Sequence, residues 1–242
     1  MKSLIIGAGQ VGSALKEVLS SSYDVVIRDL DDLHVDGVKV LHICYPDHEN
    51  FAENTRKYVD QYKPDLSIIH SSVPVGTTSK CGDDFVYSPV RGRHPRLASE
   101  MKKFTKFVAS NNPTMAQKAF IYFESTGWPT RLADSPESLE FLKVLSNVHM
   151  GLEISWRQEV QKMLNHFNIS SNDYESWERT YRDGYLQTKD YNLIRSIMKP
   201  DPIGGHCILP CTEILKSQFS SPLLEFIIEQ NEKAKDENYV NK

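Results

Sequence analysis

An α/β protein is expected: a doubly wound parallel sheet followed by a smaller, all-helical domain. Three observations lead there. Short apolar runs alternate with helix-like segments through residues 1–133, the pattern of a parallel sheet covered by crossover helices. A glycine-rich turn follows the first run and opens the first helical segment. From residue 134 onward the strand-like runs stop and helical stretches take over. The implied division is 1–133 and 134–242.

Residues 3–6 (Ser-Leu-Ile-Ile) form a short apolar run ending at Gly7. Residues 10–20 place Val11, Ala14, Leu15, Val18 and Leu19 at helical spacing. Residues 25–27, 38–43 and 66–69 are three further strand-like runs, and 48–62 is polar and helix-permissive. Residues 85–87 and 106–109 are a fifth and a sixth strand, and 114–123 is helical. Asp134-Ser135-Pro136-Glu137 is a helix start, with a capping side chain, a first-turn proline and an early acid. No proline follows until Pro200, so a helix runs from 136 to the late 160s. Residues 171–199 suit shorter helices, 201–207 an irregular loop, and 222–234 a helix opened by Pro222 with a tail that frays after 232.

Composition excludes several function classes. The chain has 242 residues, 40% hydrophobic and 25% charged, with 28 Lys+Arg against 32 Asp+Glu and a net charge of −4. A polyanion-binding surface wants a basic field, so no nucleic-acid partner is expected. No apolar run approaches the ~18–20 residues that cross a bilayer, so no membrane span is expected. The first apolar run is also too short for a signal-peptide core. Cysteines at 44, 81, 207 and 211 are too few and scattered for a disulfide framework, which points to a reducing, cytoplasmic setting. His206, Cys207 and Cys211 lack a second ligand pair at zinc spacing, so no metal site is expected.

Gly7-Ala8-Gly9-Gln10-Val11-Gly12 is G-x-G-x-x-G between a strand and a helix. The first glycine permits a tight turn, the second lets backbone approach a pyrophosphate, and the third allows close helix–strand packing. The helix start adds N–H groups and a positive dipole end, with Gln10 and Val11 in its first turn. Asp29 ends the second run, about 20 residues past the motif, where a carboxylate accepts from ribose hydroxyls. It repels a 2′-phosphate, so NAD is expected in preference to NADP. This is the signature of a Rossmann-type dinucleotide site.

Four segments together resemble the nucleotide-sugar 6-dehydrogenases, the UDP-glucose/GDP-mannose dehydrogenase family. They are the glycine turn with Asp29, His70-Ser71-Ser72-Val73-Pro74-Val75-Gly76-Thr77-Thr78, Leu142-Lys143-Val144-Leu145-Ser146-Asn147, and Gly204-Gly205-His206-Cys207-Ile208-Leu209-Pro210. The resemblance covers roughly residues 1–215. It implies oxidation of a sugar-nucleotide alcohol through two hydride transfers to NAD, with a cysteine nucleophile that forms and then loses a thioester. Cys207 matches that nucleophile, Lys143 and Asn147 the groups that hold an oxyanion and order a water, and Ser72 the hydroxyl near nicotinamide and water. Lys143 and Asn147 are four apart and share a helix face. Cys207 is then expected near both, as the most reactive of the four cysteines.

Three departures accompany the resemblance. Val90 stands where the family has a water-activating Glu, and Cys211 where it has an Asp. The chain also stops soon after the cysteine motif, which implies a shortened protein without the family's C-terminal UDP-sugar-binding domain. Slow thioester hydrolysis, or a halt at the aldehyde, is the expected consequence. Two other readings stand beside this one: a dehydrogenase of a small hydroxy acid without a thioester step, and an NAD-binding module that has lost catalysis. A homodimer is expected on the long helix, whose ~30 residues would span ~45 Å. Leu139, Leu142, Leu145, Leu152 and Trp156 need cover there, and family members pair through it. Arg91, Arg93, His94 and Arg96 form a basic loop suited to a substrate phosphate or carboxylate. His34, His42, His48 and His70 show no pairing pattern.

Overall fold

The computed structural model describes residues 1–30 and 34–236. Five short runs rich in Val, Ile and Leu become β1 (Lys2–Ile6), β2 (Asp24–Arg28), β3 (Val40–Ile43), β4 (Leu66–Ile69) and β5 (Phe85–Tyr87). They form one sheet in the order β2-β1-β3-β4-β5, every pair parallel. The order reverses beside β1, which puts the switch point at the glycine turn.

Alternation along each strand sends side chains to two faces, and both are covered. Ile5, Val40, Ile68 and Val86 pack with α1 (Gln10–Leu19), α4 (Leu97–Met101) and α5 (Pro113–Glu124) through Leu15, Leu19, Leu97, Met101, Ala119 and Phe123. Leu4, Ile6, Leu41, Ile43 and Ile69 pack with Phe51 and Tyr62 of α2 (Phe51–Tyr62) and Cys81 of α3 (Thr77–Cys81). The sheet is therefore doubly wound, as expected. A second parallel pair joins β6 (Lys106–Val108) to β7 (Thr130–Leu132). An antiparallel bridge fastens it to the edge of the main sheet, with Tyr87 N–H donating to Ala109 O at 2.8 Å and Ala109 N–H to Tyr87 O at 3.0 Å.

Three short elements lie outside the sequence expectation: α3, α4 and β7. Each has five residues or fewer, too short for periodicity to register. Tertiary contacts define them instead.

The described chain divides into two compact units, Met1–Val144 and Leu145–Lys242. Helix α6 (Pro136–His166), with 31 residues, runs from the first into the second. The second unit continues with α7 (Ser171–Thr188), a single 3-10 turn at Tyr191–Leu193, α8 (Ile208–Gln218) and α9 (Pro222–Asp236). Helix α7 is one 18-residue element where shorter helices were expected. The Ser170 side chain caps it by accepting from Asn172 N–H at 3.2 Å. Helix α8 was not foreseen, and α9 persists to Asp236, past the expected fraying point; the rest of the tail lies outside the described residues. Gly151 lets α6 approach α8 and α9 closely: a Cβ there would stand 2.8 Å from Ile208 Cγ2 and 3.2 Å from Ile227 Cγ2. Among the described residues, no helix is long and apolar enough to cross a membrane.

Candidate dinucleotide and substrate site

The turn after β1 shows why three glycines are needed. Gly7 has φ +104°, a left-handed conformation, and a Cβ on it would meet Tyr45 N at 2.8 Å. Gly12 lies inside α1, and a Cβ there would fall 1.9 Å from Gly7 O. Those two glycines serve the fold. Gly9 is different: nothing lies within 4 Å of its Cβ position, so its backbone faces open space. No side chain caps α1 and no acid occupies its first turn, where Gln10 is exposed and Val11 half-buried. That cradle suits a pyrophosphate.

The parallel register Ile6↔Arg28 sets Asp29 beside the turn, where its Oδ1 accepts from Ala8 N–H at 3.4 Å. Asp29 is exposed. Arg28 donates to Tyr62 OH at 2.6 Å and lies 5.7 Å from the centre of the Tyr58 ring. The carboxylate thus edges the open side of the turn, while the neighbouring guanidinium engages α2.

The loop after β4 carries Ser72, half-buried. Ser71 Oγ donates to Tyr45 O at 2.6 Å. Gly76 turns the chain at φ +91°, and Glu140 of α6 clamps this turn to the start of α3. The Glu140 oxygens accept from Gly76 N–H at 2.6 Å, Thr78 N–H at 2.7 Å and Thr78 Oγ1 at 2.6 Å. Burial pushes the Glu140 carboxyl up, and the Thr78 and Gly76 donors pull back. Three residues along α6, Lys143 donates to Val90 O at 3.2 Å, at the loop after β5. His94 in that loop is held below the usual histidine range, first by burial and then by the Lys143 charge. Arg91 donates to Thr105 O at 2.5 Å and lies over Phe104 and Phe107, and Arg96 pairs with Glu100 at 3.0 Å. Two of the basic loop's arginines therefore brace the loop itself, and the exposed Arg93 and half-buried His94 remain.

In the second unit, Asn147 donates to the sulfur of Cys211 at 3.1 Å. The sequence motif associates Asn147 with Cys207 instead. Cys207 is exposed at the start of α8, whereas Cys211, one turn in, is buried. The loop before Cys207 is anchored by Gln158 Nε2 donating to Asp201 O at 2.9 Å and by Ile203 N–H donating to Asn231 Oδ1 at 2.7 Å. Burial pushes the thiols of Cys44 and Cys81 up to about 12, and of the four cysteines Cys207 is the exposed one. Among the described residues, no three or more His, Cys, Asp or Glu side chains gather where they could hold a metal ion.

No family model and no curated protein matches the chain by sequence. Solved structures do match by fold. A UDP-D-ManNAc dehydrogenase from Pyrococcus horikoshii superimposes with TM-score 0.79 at 19% identity, over 98% of this chain and 69% of that one. A UDP-glucose dehydrogenase from Pyrobaculum islandicum gives 0.73 at 14% identity, over 96% of this chain and 68% of that one. A 3-hydroxyisobutyrate dehydrogenase from Mycobacterium tuberculosis gives 0.68 at 12% identity, over 97% of this chain and 94% of that one. This chain therefore has the fold of those dehydrogenases.

One polar group escaped the sequence reading. His42 and His70 do pair: His42 Nδ1 lies 2.9 Å from His70 Nε2, both side chains fully or almost fully buried. Lys106 Nζ is 3.3 Å from His70 Nδ1. The available signal was His42 inside the apolar run 38–43 and Lys106 opening the run 106–109. A strand buried on both faces carries a polar residue only with a partner.

Proposed function

We propose that this protein is an NAD-dependent dehydrogenase that oxidises an alcohol of an anionic substrate, with sugar nucleotides as the leading class. The observation that carries the reading is the glycine turn: Gly7 and Gly12 are sterically required, Gly9 faces open space, and Asp29 stands at the rim. Gly9, Gln10, Val11 and the start of α1 hold the pyrophosphate, and Asp29 holds the adenosine ribose. Bound NAD supplies a hydride acceptor. Ser72, on the loop after β4, and Lys143, on α6, serve the substrate side. Lys143 stabilises developing negative charge on the substrate oxygen, and Arg93 and His94 attract its anionic part. The motif resemblance adds Asn147 and Cys207, with Cys207 as nucleophile; that assignment rests on sequence. With Val90 and Cys211 in place of two carboxylates, water activation is weak and hydrolysis of a thioester slow.

The second reading is oxidation of a small hydroxy acid. It is favoured by the near end-to-end overlap with 3-hydroxyisobutyrate dehydrogenase, 97% of this chain and 94% of that one. The protein works as a homodimer in a reducing cytoplasm, a setting that suits four free cysteines. NADH formation over a panel of sugar nucleotides and hydroxy acids tests the function. About two NADH per sugar nucleotide supports acid-forming chemistry, and one supports aldehyde or ketone formation. A Cys207→Ser variant with wild-type rates on the best substrate transfers the assignment to the hydroxy-acid reading. Absence of NADH on every member removes the dehydrogenase.

A further inference from the structure

Five side chains of the first unit form one buried chain that no role above uses. It runs from Ser3 (β1) through Tyr122 (α5), His42 (β3) and His70 (after β4) to Lys106 (β6), none more than 4% exposed. The hydrogens can be assigned from one end. Ser88 O only accepts, so His70 Nδ1, at 2.5 Å, carries hydrogen. Neutral His70 then accepts at Nε2 from His42 Nδ1–H at 2.9 Å. His42 Nε2 accepts from the Tyr122 hydroxyl at 3.0 Å, whose oxygen accepts from Ser3 Oγ at 2.9 Å. Adding a proton to His70 Nε2 reverses the three bonds from His70 to Ser3 and buries a charge with no carboxylate in the chain, which burial disfavours. His42 is accordingly pulled down to about 3 and His70 well below its usual range, by burial first and then by Lys106.

Lys106 closes the chain. Its Nζ donates to Ser88 O at 2.8 Å and to Pro89 O at 3.0 Å, and faces His70 Nδ1–H at 3.3 Å. Two of its hydrogens serve the two carbonyls. The rings of Phe123 and Trp128, at 5.0 and 5.1 Å, favour the ammonium. Burial first, and then the Lys143 and Arg91 charges, hold the Lys106 ammonium well below the usual lysine range, with Cys44 pulling the other way. The chain ends on a carbonyl, which cannot pass a proton on, so it is a strut and not a proton path.

We propose that His70 and Lys106 are positioning residues, which hold the carbonyls of Ser88 and Pro89 so that Val90 meets Lys143 in register with the loop carrying Ser72. This rests on the dehydrogenase reading for Ser72 and Lys143, but the strut can be tested without activity. In ¹⁵N-histidine NMR, His42 and His70 both appear as neutral Nδ1–H tautomers across about pH 5–9. An Nε2–H His70, or one that titrates in that range, overturns the assignment. In hydrogen exchange, Lys106→Met speeds the peptide over residues 88–96 by ~10-fold and leaves residues 7–13 unchanged. Equal protection at 88–96 in variant and wild type overturns the proposal.

On the best substrate of the panel, Lys106→Met lowers kcat by ~10–100-fold with NAD affinity within about twofold of wild type. Lys106→Gln, which keeps donors for the carbonyls, recovers much of kcat. A loss of NAD affinity in parallel with kcat, or no recovery with Gln, points to general destabilisation and overturns positioning. Should the Met variant not fold, the Gln variant and the tautomers decide. If no substrate is oxidised, the dehydrogenase reading fails while NMR and exchange still decide the strut.

Discussion

The sheet of the first unit is covered on both faces, whereas the helices of the second leave large aromatic side chains exposed. Every residue of β3, β4 and β5 is buried, and clusters on both sheet faces close over them. In the second unit α7 has no buried residue, and Trp177 is 64%, Phe167 67% and Trp156 55% exposed. Helix α6 is exposed on either side of the division, with Leu142 at 55% in the first unit and Leu145 at 38% in the second. Large exposed apolar patches are often association surfaces in proteins generally, which is the ground for the homodimer proposed above. The contrast separates the two: the cofactor turn sits on a sheet closed on both faces, whereas the exposed side chains of the helices are what the proposed homodimer would cover.

The largest effect that would sharpen this contrast is Gly12→Ala. The added carbon falls on a backbone carbonyl, so α1 must shift, at a cost of ~3 kcal/mol or more. Calorimetry is expected to show NAD binding abolished, with a lowered Tm. Wild-type affinity in that variant would break the case for a sterically fixed turn. Next, Trp156→Glu with Leu145→Asp is expected to leave a folded monomer at tens of micromolar with NAD affinity retained. Sedimentation checks it, and a wild-type protein already monomeric removes the second copy.

Acid sensitivity is expected to lie in the first unit. The depressed His42 and His70 stay neutral in the folded chain, while the unfolded chain takes up protons below about pH 6.5. Stability therefore falls as pH drops from 6.5 toward 3, with uptake of about two protons per unfolding event from this pair. The depressed Lys106 acts with the same sign at higher pH, so stability rises toward its ordinary pKa. Urea midpoints against pH measure the slope, and His42→Phe should remove about one proton of it. A flat profile in this window contradicts the buried neutral chain.

The smallest effect is Asp29→Ala, expected to reduce the NAD over NADP preference by about tenfold, as loss of one charge-assisted hydrogen bond implies. Equal affinities in the wild type would remove that role.

Most of the sheet was legible because its cause is local. Residues 3–6, 25–27, 38–43 and 66–69 are apolar runs bounded by polar or glycine breaks, and each is a strand. The glycine turn was readable for the same reason, since backbone conformation and close approach admit no other residue at Gly7 or Gly12. The His42–His70–Lys106 chain was not, because its partners are 28 and 36 residues apart and meet only once the sheet is built. The clamp on Gly76 and Thr78 was hidden likewise, as Glu140 reads in sequence as one more acid on a helix. Asn147 was read with Cys207, but α8 itself was unforeseen, and its first turn buries Cys211 against that amide.

The bridge between Tyr87 and Ala109 has a consequence for how copies of this chain can meet. An edge strand with free N–H and C=O groups is a template for strand addition and aggregation. Here the Tyr87 amide and carbonyl are spent on Ala109, and Phe85 O accepts from Ser110 Oγ at 2.8 Å. Ser88 Oγ reaches across to Phe107 O at 2.8 Å. The β5 edge is therefore sealed against open-ended growth, and copies that meet on this side must do so by packing side chains.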